Sequence, residues 1–417
     1  MKKTLLFAAA LIVSVSAFAQ PVQPVQTIVA PTAVTADKPA EKNALEGFKF
    51  ETVKELPVTS VKDQASSGTC WCFSGISFLE SEILRVNSKI DDIDLSEMFV
   101  VYNSYADRAV KYLRLDGHLT FGQGSSFGDV LYTIKDHGIV PNEVMTGLNY
   151  GTERHMHGEL AAGLKGYIEA ISKIPNKTLT TAWLNGYKGI LNAYLGEAPE
   201  QFTYNGKTYT PQEYFKSLKI DLNDYVDITS WTHLSYYEEH PVEVCDNWRW
   251  EQAYNLPLDE MVAVIDNAIE NGYTVAWAAD VSEMGFTRNG IAINPDPEVL
   301  DKAKKAGSDE AKWLGMGAGA RKFDPKAPVK EMEVTPELRQ KGYDDKSTTD
   351  DHGMHIYGIA KDQNGTKYYL VKNSWGTNSK YSGIWYVSES YVRYKTMDIM
   401  VHKDAIPKDI KKKLNLK

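Results

Sequence analysis

Gln64-Ala65-Ser66-Ser67-Gly68-Thr69-Cys70-Trp71-Cys72-Phe73 places a thiol at the mouth of a helix. Phe73, Ile76, Leu79, Ile83 and Val86 recur at helical spacing after it, so the helix begins near Cys70. A thiol there meets the positive end of the helix dipole, which favours the thiolate. The thiolate is the nucleophile of acyl transfer. Gln64 lies six residues upstream (70 − 64). Its amide can fold back beside the thiol, where its NH2 and the backbone N–H of Cys70 would donate to a developing oxyanion. Cys72, two positions along the same helix, points elsewhere and reads as core.

Two later segments supply matching groups. Asp351-His352-Gly353-Met354-His355 enters a strand, and Val371-Lys372-Asn373-Ser374-Trp375-Gly376 closes another. His352 is the expected base. His355 stands an odd number of positions away, which on a strand puts the two rings on opposite faces. Asp351 before and a small residue after favour His352. The Asn373 amide oxygen would hold that ring in its reactive tautomer, as the aspartate does in serine triads. Trp375 would cover the Asn–His hydrogen bond from water.

Gln…Cys-Trp, Asp-His-small and Asn-Ser-Trp-Gly, in this chain order, resemble the papain-type cysteine peptidases. Simple papain-type chains place His and Asn roughly 130–150 residues after the nucleophile. Here His352 follows Cys70 by 282 (352 − 70). That spacing resembles the bleomycin hydrolase and aminopeptidase C branch, which carries a large insertion. Gln-x-Ser-Ser-Gly-x-Cys-Trp, His-Gly-Met for His-Ala-Met, and Ala276-Trp277-Ala278-Ala279-Asp280-Val281 for Val-Trp-Phe-Gly-Cys-Asp-Val agree with it. The likeness runs from about residue 46 to 410 and is weakest across 150–250.

The resemblance implies an α+β, papain-like fold: a helical N-terminal half, a β-rich C-terminal half and a large, mostly helical insertion at about 150–255. It implies Cys70 as nucleophile, His352 as base and acid, Asn373 as orienter and Gln64 as oxyanion donor. Gly124-Ser125 falls where the branch has a Gly-Gly strand that pairs with substrate backbone, and Trp375 joins them on the substrate side. The implied activity is peptide hydrolysis through an acyl-enzyme thioester, aminopeptidase-like, with no cofactor or metal. A homo-oligomer is implied by the branch alone. Its members trim free N-termini because a C-terminal arm lies in the cleft. Val401-His402-Lys403-Asp404-Ala405-Ile406-Pro407 resembles the segment before that arm, and the chain stops at Lys417. The arm therefore reads as short and basic, and an open-cleft endopeptidase is the alternative. A Cys-His acyltransferase, normally completed by Asp, and an inactive papain-fold binding protein stand further off, because Asn373 and all four site residues are present.

The surrounding composition is globular. Of 417 residues, 43% are hydrophobic and 24% charged, which excludes a disordered tail, a collagen-like repeat and a disulfide-dense miniprotein. Acidic residues outnumber basic ones, 55 to 46, without a basic stripe, so no nucleic-acid partner is expected. Lys2 and Lys3, the apolar run Leu5–Val15 and Ala17-Phe18-Ala19 read as a secretory signal peptide, residues 1–19. No later segment offers 18 uninterrupted apolar residues, so no membrane span is expected. The product is expected in the periplasm or outside the cell. Residues 20–45, with Pro21, Pro24, Pro31 and Pro39, read as an extended linker, and 46–417 as the peptidase domain. Three cysteines are too few for a disulfide framework. A Cys72–Cys245 bridge stays open beside the simpler reading of two buried thiols.

Helices are expected over Leu131–His137, across about 150–255 and over Asp259–Asn271. Strands are expected over Tyr273–Ala278, His355–Ala360, Lys367–Lys372 and Gly383–Val387. His155-Met156-His157 reads as a polar loop rather than a metal site. Trp231, Trp248 and Trp250 read as core, with a groove lining as the alternative. Lys411–Lys413 reads as a solvated helix end. Gly315-x-Gly317-x-Gly319 follows no strand and carries no phosphate role.

Overall fold

Helix α1 (Cys70–Val86) is enclosed on all sides: every residue from Trp71 to Ile83 is buried. The expected apolar face therefore widens to the whole circumference, as it does when other elements surround a helix. Of the expected apolar positions, Val86 at the helix end is exposed, beside exposed Arg85. The structure is a computed structural model and describes residues 47–175, 178–300, 325 and 327–416. The expected signal peptide and linker and the Gly315–Gly319 segment lie outside the described residues.

Against one side of α1 pack α2 (Glu97–Arg114) and α3 (Phe127–His137), followed by α4 (Gly158–Ser172) and α5 (Ala182–Leu195). Ser96 caps α2, its hydroxyl accepting from Phe99 N at 3.0 Å. Gly138, at φ 82°, ends α3 in a conformation an L-residue rarely adopts. Ile76, Leu79, Val100, Val130, Leu164 and Leu191 share this core.

The other side of α1 meets a mixed sheet. After β1 (Phe50–Glu55) come the hairpin β2 (Phe202–Tyr204) and β3 (Lys207–Tyr209), α6 (Pro211–Ser217) and three strands, β4 (Tyr225–Thr229), β5 (Glu239–Pro241) and β6 (Gln252–Asn255). Next come α7 (Leu258–Glu270), β7 (Val275–Ala279), β8 (Ile291–Ala292), α8 (Pro336–Asp344), β9 (His352–Asp362), β10 (Lys367–Lys372) and β11 (Ile384–Ser388). The chain then forms α9 (Glu389–Lys395), β12 (Thr396–His402) and α10 (Lys408–Lys413). The sheet runs β5-β6-β4-β12-β7-β9-β10-β11-β8, with β1 also on β9. His355 pairs with Lys372, so β9, which carries His352, lies directly beside β10, which leads into Asn373; on its other side Ala279 pairs with His352.

Each strand expected from the sequence is present, shifted by at most a few residues at an end. The mostly helical insertion holds only to Ser217. Beyond it the chain turns to β, because Tyr225, Val226 and Ile228 favour a strand and β12 offers the edge that pairs them. Lys411–Lys413 is also more than a solvated end: Lys413 Nζ meets Glu260 Oε1 at 2.6 Å and Lys411 Nζ meets Asp404 Oδ1 at 2.8 Å. Ile406, Ile410 and Leu414 bury the C-terminal segment in the core that α7 shares. Among the described residues, no helix is long and apolar enough to cross a membrane.

Candidate active site

Cys70 is the first residue of α1 and is half-buried. Three neighbours pin the loop before it. Gln64 N donates to Ser374 O at 2.8 Å and Gly376 N to Lys62 O at 3.0 Å, with Asp63 bridged to Trp375. Ser66 N donates to His155 O at 3.0 Å and His157 N to Ser66 O at 3.1 Å. Gly68 N donates to Gln123 Oε1 at 2.8 Å, and Trp71 Nε1 to Gln123 O at 3.0 Å. The first and third expected motifs are thus joined by backbone pairing. His155–His157 is not a free polar loop: it clamps the nucleophile loop, and His157 is fully buried.

Gln64 is buried with both ends of its amide engaged. Its Nε2 donates to Ser67 O at 2.8 Å, and its Oε1 accepts from Ser374 Oγ at 2.6 Å. One amide hydrogen is committed, which leaves the second for an oxyanion. The Ser374 hydroxyl sets which way the amide points, a role the sequence reading missed although Ser374 stands beside Asn373.

His352 Nε2 lies 2.8 Å from Asn373 Oδ1. An amide oxygen only accepts, so Nε2 carries the proton and Nδ1 keeps its lone pair. Ser374 N donates to the same Oδ1 at 2.7 Å and fixes the amide. Trp375 stacks on the His352 ring with centroids 4.7 Å apart, and Trp385 and Phe286 back it edge-on. Trp375 therefore covers the pair as expected, but it does not line the cavity beside Cys70. His355 points into the α1 interface, its Nδ1 2.9 Å from Ser77 Oγ.

Cys70, His352, Gly124 and Ser125 line one cleft with about 620 Å³ of free space, part of it open to solvent. The Ser125 hydroxyl is occupied, donating to Asp129 and accepting from Trp248 Nε1 at 2.7 Å. Arg108, buried in α2, holds this wall. Its guanidinium donates to Thr120 O at 3.1 Å, Gly122 O at 2.9 Å and Gly124 O at 2.6 Å. No sequence pattern marked Arg108 or Gln123, because their contacts run mainly through backbone carbonyls and amides.

The electrostatics depart from expectation. Burial pushes the Cys70 thiol up to about 11; the backbone N–H groups of Gly353 and Trp71 lower it, while Asp350 and Asp246 raise it. Burial also brings His352 down to about 4, against the opposing effects of Asn373 and Asp351. Between those values both groups are uncharged. Desolvation and the two carboxylates thus work against the thiolate that a helix start favours. A neutral thiol that shares a cleft with a neutral imidazole can still pass its proton to Nδ1 as it attacks a carbonyl.

All three cysteines are free. Cys72 is buried, its thiol 3.3 Å from Glu97 O, while Cys245 is exposed, so neither the bridge nor the pair of buried thiols exists. Trp231 and Trp248 are core. Trp250 is exposed under Lys111, whose Nζ lies 3.6 Å from the ring centroid, and none of the three lines the cleft.

The model of the peptidase C1-like family matches residues 16–301 and 332–417. Aminopeptidase G of Lactobacillus delbrueckii subsp. lactis is 22% identical over 399 residues, covering 85% of this chain and 83% of the relative. The mitochondrial cysteine proteinase 1 of Saccharomyces cerevisiae strain S288c is 20% identical over 410 residues, covering 87% and 79%. The crystal structure of PepW from Lactobacillus rhamnosis superposes with a TM-score of 0.63 at 19% identity, covering 88% of this chain and 84% of PepW. That likeness is one of fold, and the α+β, papain-like class expected from the sequence holds. With matches over most of its length, the chain belongs to the peptidase C1-like family, as a papain-type cysteine peptidase of the aminopeptidase C and bleomycin hydrolase branch.

Proposed function

We propose that this chain is an exported peptidase in which Cys70 attacks the scissile carbonyl and forms an acyl-enzyme thioester. His352 takes the thiol proton at Nδ1, delivers it to the leaving amine and then activates the water that releases the acyl group. Asn373 holds the imidazole, and Gln64 with the Cys70 backbone N–H receives the oxyanion. The observation that carries this reading is the 2.8 Å His352–Asn373 contact, made by a ring that shares one cleft with a thiol at a helix start. Export rests on residues 1–19 alone. Intact-mass analysis of the secreted product should give Gln20 as its first residue; a retained leader would count against export.

Aminopeptidase action is the leading mode, supported by relatives named aminopeptidase G and aminopeptidase C. One observation favours the endopeptidase alternative: residues 403–416 pack toward α7, and none lines the cleft. Peptides with free and acetylated N-termini separate the two modes. Loss of cleavage on acetylation supports the exopeptidase, and equal internal cleavage supports the endopeptidase. Cys70→Ala should abolish either one. Retained hydrolysis in that variant would end the proposal.

A further inference from the structure

The cleft that holds Cys70 and His352 is lined elsewhere by carboxylates: Asp227 from β4, Asp246 and Glu251 from the β5–β6 loop, Asp350 and Asp351 before β9, and Asp398 from β12. No Lys or Arg is among the residues lining it. Two glycines give these acids room. A Cβ on Gly124 would overlap the Asp246 carboxylate, and one on Gly128 would overlap that of Glu251. Glu251 is held by Ser126 Oγ at 2.7 Å and by the Gly128 backbone.

Asp227 is the telling residue. It is only 8% exposed, and its Oδ1 has no hydrogen-bond partner. A buried carboxylate left unpaired is costly, so an acceptor in this position wants a cation or a proton. Burial, Glu251 and Asp398 together push Asp227 well above the usual carboxylate range, and Glu251 rises to about 8. A proton meets that need, and an entering cation would displace it.

The size of that cation follows from the geometry. Among the described residues, no three His, Cys, Asp or Glu side chains converge closely enough to hold a metal ion. The carboxylates are instead spread along walls that also carry Val242, Val244, Ala253, Ala278 and Met397. Walls that mix apolar side chains with carboxylates suit a methylene stem with a charged head.

We propose that this cleft is a cation subsite of the peptidase, taking an ammonium or guanidinium group presented by the peptide substrate. The proposal rests on the peptidase reading above. Two sources carry that chemistry, a Lys or Arg side chain and the free α-ammonium. Asp227, Glu251 and Asp398 suit a long side chain. Asp246 and Asp350, whose charges reach the Cys70 thiol, suit an amino terminus close to the scissile bond.

The test uses the full-length protein and fluorogenic peptides carrying Lys or norleucine next to the cleaved residue, each with a free and an acetylated N-terminus. A side-chain site predicts that the acetylated Lys peptide exceeds its norleucine twin by about 30-fold in kcat/KM, the scale of one desolvated charge pair. Asp227→Asn or Asp398→Asn should then cut that ratio at least about tenfold. An α-ammonium site predicts instead that acetylation alone costs the activity, whichever side chain is present, and that Asp246→Asn or Asp350→Asn removes the discrimination. Cleavage of all four peptides at similar rates would overturn the cation subsite and leave the peptidase reading standing. Failure to cleave any peptide would sink the peptidase reading. Calorimetry with lysinamide and norleucinamide then decides the subsite: tighter lysinamide binding supports it, and equal or absent binding overturns it. The unmodified protein is measured first, so a variant that misfolds does not remove the test.

Discussion

Arg108→Met should loosen the wall that faces Cys70. The guanidinium is buried and donates three hydrogen bonds, to the carbonyls of Thr120, Gly122 and Gly124. That segment includes Gln123, which holds Gly68 and Trp71 at the nucleophile loop. A hydrogen bond from a charged donor contributes about 1.5–3 kcal/mol. Met spares the desolvation of the guanidinium, and the Thr120 carbonyl lies on an exposed residue and can take water instead. The net loss of stability should be about 2–4 kcal/mol, read as a lower midpoint in urea with unchanged slope. A slip of about 1 Å between Gly124 and Cys70 should cost about 10²-fold in kcat/KM. Arg108→Lys, which keeps the charge but not the fork, should fall between the two. A Met variant within about 0.5 kcal/mol of the parent and fully active would refute the reasoning, since surface-like substitutions fall in that range.

Gln64→Ala should slow turnover by about 10²–10³ while the Cys70 thiol still labels, because the loss falls on the transition state rather than the nucleophile. Unchanged kcat would remove Gln64 from the oxyanion site. Cys72→Ala should keep most of the activity that Cys70→Ala abolishes; equal losses with folding intact would contradict the assignment. Iodoacetamide labelling of Cys70 should rise about tenfold per pH unit through neutrality, because a thiol raised to about 11 is still far below its midpoint there. A rate already flat from mildly acidic pH upward would mean a thiolate–imidazolium pair instead. His355→Gln should lower stability more than kcat, since that ring bonds Ser77 inside the α1 interface rather than facing the cleft.

What could be read ahead of the structure follows the range of the interaction involved. The start of α1, the alternation that separates His352 from His355, and the Asn373 partner each depend on a few neighbouring residues, so their chemistry shows in the motif. Burial is different. The Cys70 thiol sits at a helix start, which by itself argues for a thiolate, yet its surroundings come from β9, from Asp350 and from a loop bearing Asp246, and these reverse the sign. The same holds for β4: Tyr225–Thr229 has strand-forming residues, but its place in the sheet is supplied by β12, some 170 residues later (396 − 225 = 171). Arg108 and Gln123 are silent for a different reason, since their contacts run through backbone groups that no side-chain pattern reports.

The acidic cleft gathers these cases in one place. Its six carboxylates are separated by up to 171 positions (398 − 227) and share no single motif. Taken singly, Asp227 is a strand acid and Asp398 an interruption in an apolar strand, each a local inconsistency with the fold around it. Residues that break a local rule without a compensating local gain tend to mark function. Here β12 crosses between β4 and β7 and brings both acids to the wall beside Cys70. The cost of burying them is carried by the same sheet that positions His352. A purely structural cleft would gain stability from Asp227→Leu or Asp398→Leu. If instead those acids select substrate, the same substitutions should stabilise the fold by about 1–3 kcal/mol while erasing discrimination between cationic and neutral peptides. Paired urea and specificity measurements on one variant read both effects. Stabilisation with the preference intact would assign these carboxylates no part in recognition.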